Sequence, residues 1–115
     1  MDSRLEKALE FSNYMTTLNN QRRLLHEKYL ENTVHYINGG KFSITLELIN
    51  FFNMLVQRDQ ESVVIVDDNN MPVEIVDVKQ FLDTILDIYF TNTNEYFYKY
   101  NDIKTKRSVQ DLLDV

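Results

Sequence analysis

Gly39 and Gly40 are the only glycines in the chain, and Pro72 is its only proline. Neither residue type occurs before Gly39. Glycine is the default residue where the backbone must take positive φ, and the usual terminator of a helix. The spacing therefore predicts one very long first helix, from about residue 3 to about residue 37, with Asn38-Gly39-Gly40 as its stop. At 1.5 Å per residue such a helix is roughly 50 Å long. That exceeds the diameter of a typical globule of 115 residues. Either a second long helix accompanies it or one end projects. The same scarcity excludes chemistry, because phosphate-cradling loops and dinucleotide fingerprints need several glycines at fixed spacing.

Ala8, Phe11, Met15, Leu18, Arg22, Leu25 and Tyr29 step by 3, 4, 3, 4, 3, 4. This is the seam of a helix packed along another helix. Ser3 reads as its N-cap, with Glu6 as capping-box partner. After the glycines, residues 41–44 alternate and read as a short strand. Thr45 is placed to cap a second helix with the stripe Leu48, Ile49, Phe52, Leu55 and Val56, stopping near Arg58-Asp59. Residues 62–66 and 73–76 are rich in β-branched side chains and are separated by a cluster of turn formers, Asp67 to Pro72. They predict a hairpin, which the 41–44 strand can extend to three strands. Asp77 starts a third helix that runs to Lys106. Its seam, Val78, Leu82, Ile85, Tyr89, Asn92 and Tyr96, steps by 4, 3, 4, 3, 4, with Ile103 one heptad further on. The fold class expected is α+β and mostly helical: two long antiparallel helices, a shorter helix, and a small β-hairpin or three-stranded sheet.

Phe81, Ile88, Phe90 and Phe97 lie off the third helix's seam. A helix apolar on more than one face is buried from several sides, so these four are the expected oligomer interface, in the simplest case that of a homodimer. Ser108 and Asp111 have capping-box spacing. They divide the chain into a single domain, 1–107, and a short helical tail, 108–115. Val109, Leu112 and Leu113 fall on one side of that tail and are its expected partner contacts.

Seven Tyr, seven Phe and an apolar fraction of 43% supply a globular core. There is no cysteine, hence no disulfide, cysteine-ligated metal or thiol nucleophile. A net charge of −6 argues against general nucleic-acid binding, since phosphate affinity comes from Lys and Arg. The first residues lack the apolar core of a secretory signal, and no apolar run is long enough to span a membrane, so a cytoplasmic protein is expected. His26 and His35 are nine apart on the predicted first helix and would face opposite ways. The acidic run Asp67-Asp68-Asn69-Asn70 invites a calcium reading, but an EF-hand register puts Met71 or Pro72 where an oxygen ligand is needed. A solvated turn explains it. Residues 59–87 carry eight carboxylates against a single Lys79, the composition of a solvated surface or of a face for a basic partner. No catalytic residue, metal ligand or cofactor is expected. The function expected is that of a non-enzymatic accessory or assembly protein acting on another protein. Two alternatives are a single-strand nucleic-acid binder using Tyr96, Tyr98, Tyr100, Lys104 and Lys106, and a metal-assisted hydrolase using Asp67, Asp68 and Asp77.

The segments INGGKFSITLELINF (37–51) and DDNNMPVEIVDVKQFLDTILDIYF (67–90), with the chain's Asn, Ile and Lys bias, resemble small uncharacterised proteins of large contractile-tailed phages of marine bacteria. The resemblance carries no catalytic motif. It implies a viral origin, a host-cytoplasmic location, and a role in virion assembly, replication or host takeover.

Overall fold

The computed structural model describes residues 2–114. Its elements are α1 (Ser3–Asn32), β1 (Val34–Ile37), β2 (Gly40–Ser43), α2 (Leu46–Gln57), β3 (Val63–Val66), β4 (Pro72–Ile75), α3 (Val78–Thr105) and α4 (Val109–Leu113). The chain is 66% helical, an α+β fold dominated by two long helices. It forms two compact units, one of Met1–Tyr29 with Asn94–Val115, the other of Leu30–Thr93.

The first unit is a helical hairpin. Tyr29 stacks on Tyr96 with ring centroids 4.8 Å apart. Arg22 lies over the Tyr100 ring at 5.6 Å. Leu18 packs with Ile103, and the Tyr14 hydroxyl donates to the Lys106 carbonyl at 2.8 Å. Contacts that ascend α1 descend α3, so the two are antiparallel, as the paired seams require. The seam ends before Ala8 and Phe11, which are exposed. The reason is length: Tyr14 already reaches Lys106, one residue past the end of α3. Every described residue from Asp2 to Asn13 is exposed. The cap of α1 is Asp2 rather than Ser3, for the Asp2 carboxylate accepts from the Arg4 amide at 3.0 Å and its carbonyl from the Glu6 amide.

The tail belongs to this unit. Ser108 caps α4 by accepting from the Asp111 amide at 3.2 Å, and Leu112, with 0% of its surface exposed, sits against Leu18 and Ile103. Val109 is half-buried and Leu113 exposed. The expected boundary at 107/108 is therefore not a domain boundary, and Leu112 is a core residue rather than a partner contact.

In the second unit the Gly pair acts differently from the helix stop expected of it. α1 ends at Asn32, and residues 34–37 form β1, antiparallel to β2 with Ile37 opposite Gly40. Asn38 (φ 51°) and Gly39 (φ 78°) are the two-residue connection. Positive φ at both positions is the signature of the type I′ hairpin turn, for which Asn-Gly is the preferred pair. His35 therefore lies on a strand and not on α1. Gly40 is needed for a second reason, since a Cβ there would come within 2.8 Å of Val73 Cγ2. Close approach of β2 to β4 fixes this glycine.

Thr45 caps α2 by accepting from the Leu48 amide, and Asp59 (φ 58°) ends the turn after its C-cap Arg58. The core of the unit gathers on Phe81. Phe52 lies 4.2 Å from it between ring centroids, and Phe42 and His35 each lie at 5.6 Å. Phe81 is 2% exposed and cannot serve an oligomer interface. Ile88 is half-buried against the same core, while Phe90 and Phe97 are exposed. β3 and β4 form a second two-stranded sheet rather than a three-stranded one with β2.

Candidate functional site on the second hairpin

The β3–β4 hairpin is built by its acidic turn. The Asp67 amide donates to the Met71 carbonyl at 2.9 Å and the Asn70 amide to the Asp67 carbonyl at 3.1 Å. Asn70 (φ 62°) takes the left-handed position that closes the loop. The buried Asp67 carboxylate accepts from the amides of Lys41 (2.9 Å), Asn69 (2.9 Å) and Met71 (2.8 Å). Asp68 accepts from the amide and hydroxyl of Ser43, and its own amide donates to the Lys41 carbonyl. The loop thus fastens to the outer edge of β2. Asp77 caps α3 by accepting from the Gln80 amide at 3.0 Å.

The three carboxylates of the hydrolase alternative are therefore committed to backbone amides. Among the described residues, no three His, Asp or Glu side chains gather where they could hold a metal ion. Amide donation from Lys41 and Met71 holds the Asp67 carboxyl below the ordinary aspartate value, burial opposing them. A depressed carboxyl stabilises the fold above the ordinary aspartate range and ceases to do so as pH falls through the folded value. Asp67→Asn is therefore expected to melt lower at neutral pH and to lose less on acidification below about pH 4. Thermal melts from pH 7 downward check this, and parallel acid limbs in variant and parent would reject it.

Of the aromatic and basic residues of the nucleic-acid alternative, Tyr96, Tyr100 and Lys104 lie together, with the Tyr96 and Tyr100 ring centroids 6.2 Å apart and Lys104 Nζ 5.1 Å over the Tyr100 ring. Tyr96 is engaged by Tyr29 and His26, Tyr100 lies beneath Arg22 and Lys104, and Tyr98 alone of the three points outward, 77% exposed. His35 is half-buried, and burial lowers its pKa.

What the sequence reading did not single out is the outer face of the second hairpin. β3 reads VVIV. Val63 and Ile65 turn toward the core, so Val64 (65% exposed) and Val66 (59%) turn away from it. Val64 stands opposite Glu74 and Val66 opposite Pro72, and Val76 just beyond β4 is 68% exposed. The signal was available. Four consecutive β-branched residues make a strand apolar on both faces, and a two-layer unit covers one. Beside this face an open cleft of about 360 Å³ is lined by Val56, Gln60 and Val76, by the carboxylates Asp59, Glu61 and Asp77, and by Lys79.

No family model matches the chain, and comparison with curated proteins and with solved structures finds no match. No helix among the described residues is long and apolar enough to cross a membrane.

Proposed function

We propose that this chain is a small non-enzymatic accessory or assembly protein that works by binding another protein. The observation that carries the reading is the exposed valine face of the β3–β4 hairpin. Contiguous apolar surface on a small domain marks an interaction site, whereas single exposed side chains do not. The resemblance of residues 37–51 and 67–90 to phage proteins directs the search for that partner toward virion assembly, replication or host takeover. Self-association is a second contact of the same kind, for which Phe90 in the second unit and Phe97 in the first, each exposed, are separate candidates.

A photo-cross-linking residue at Val66 tests the reading in the cells where the protein acts. Discrete protein adducts are expected from Val66 and not from Arg23, an exposed position on α1. Equal adducts from both positions, none from Val66, or adducts removed by nuclease would overturn it.

A further inference from the structure

Each two-stranded sheet has two outer edges, and two of the four are occupied. On β2, Asp67 and Asp68 take the outward amides of Lys41 and Ser43. On β4, the Asn38 side-chain amide donates to the Glu74 carbonyl at 2.9 Å, and Pro72 has no amide to offer. Among the described residues, β3 itself carries no such cover; the Gln60 side-chain amide takes the carbonyl of Ser62, just before the strand, at 2.8 Å. Because Asp67 bonds Met71, the alternation of an antiparallel ladder makes Ile65–Val73 and Val63–Ile75 the bonded pairs. The N–H and C=O groups of Val64 and Val66 consequently point away from β4. Among the described residues, neither makes a main-chain hydrogen bond outside its hairpin. β3 also has none of the devices that protect an edge, such as Lys, Pro or a bulge. Val63 and Ile65 remain half-buried, as expected where no strand lies beyond them.

We infer that β3 is a docking edge that takes an extended, basic segment of a partner protein as a third strand of the β3–β4 sheet. Main-chain hydrogen bonds to Val64 and Val66 hold the segment, and alternate side chains fit beside the exposed valines. The charge of the surroundings selects the occupant. Asp59, Glu61 and Asp77 outnumber the single Lys79 in the cleft at the start of β3, Asp68 stands past its end, and Glu74 faces Val64. Lys or Arg flanking an apolar, β-branched core complements them. A second copy would bring the Glu61 end of one strand to the Asp68 end of the other in antiparallel pairing, and like charges so placed repel. β1 is the other open edge, but its surface carries Glu31 and Lys41 together and favours neither sign.

The inference rests on the protein-binding reading and is tested apart from it. The probe is a short capped peptide alternating valine and threonine with lysines at both ends, followed by fluorescence anisotropy. It is expected to bind the full chain, and replacing its lysines with glutamates should weaken binding at least about tenfold. N-methylating alternate peptide amides in one phase should abolish binding, and in the other phase should leave it unchanged. Val64→Pro should abolish binding, while Tyr36→Pro on β1 should not. If Val64→Pro fails to fold, the two methylated peptides still decide on the native protein. Absence of binding, equal binding by both methylation phases, equal binding of the glutamate peptide, or a dimer in sedimentation that Val64→Pro disperses would each overturn the inference. Protein adducts from Val66 with any of these results would leave protein binding standing and remove strand addition.

Discussion

Phe81→Ala is expected to lower the free energy of unfolding by about 3–5 kcal/mol. The ring is 2% exposed and meets Phe52, Phe42 and His35, which come from α2, β2 and β1. Truncation removes apolar area from water's exclusion and leaves a cavity that three other elements would have to collapse into. Two of those elements are short strands whose register is fixed by the Asn38-Gly39 turn and by the Asp67 clip, so they cannot follow. A domain of this size has roughly 5–15 kcal/mol in total, and the loss takes a large share of it. Urea titration of the variant measures it. Phe81→Leu, which keeps most of the volume, should cost clearly less. Equal midpoints for Phe81→Ala and the parent would show that the aromatic cluster does not hold the second unit together.

Phe81 also shows how far a sequence can be read. Its position off the seam of the third helix points, on sequence alone, to a second subunit. The helix is indeed apolar on a second face, where Phe81 and Ile88 pack into the core. What covers the second face is non-local: α2 and the first hairpin, neither of which helical spacing can reveal. The helical seams, the caps at Thr45, Asp77 and Ser108, and the Asp67–Pro72 turn were legible because each depends on residues within one or two turns of the chain. The first hairpin was not, although its signal is local. Asn-Gly ends helices and also makes type I′ turns. Val34, Tyr36 and Ile37 favour a strand, but the long heptad pattern before them points to continued helix. The valine face of β3 was legible in composition and hidden in consequence, since only the packing of Val63 and Ile65 says which pair of valines is left outside.

Leu112→Ala is expected to cost about 2–4 kcal/mol, whereas Leu113→Ala, one residue further on, should change stability by no more than about 0.5 kcal/mol. The two side chains have the same chemistry and opposite surroundings: Leu112 is 0% exposed against Leu18 and Ile103, and Leu113 is 60% exposed. α4 has five residues, far too few to hold a helix in water by propensity. Its persistence therefore depends on that one anchor and on the Ser108 cap. Removing the chain from Ser108 onward uncovers Leu18 and Ile103 together, so the melting temperature should fall by at least as much as for Leu112→Ala. Differential scanning calorimetry of the two leucine variants and the truncation decides the matter. A large drop for Leu112→Ala and the truncation, with none for Leu113→Ala, makes the tail part of the helical hairpin's own core. A truncation that melts like the parent would mean that Leu112 contributes nothing where it sits, and Val109, Leu112 and Leu113 would return to the role the sequence suggested for them, contact with a partner.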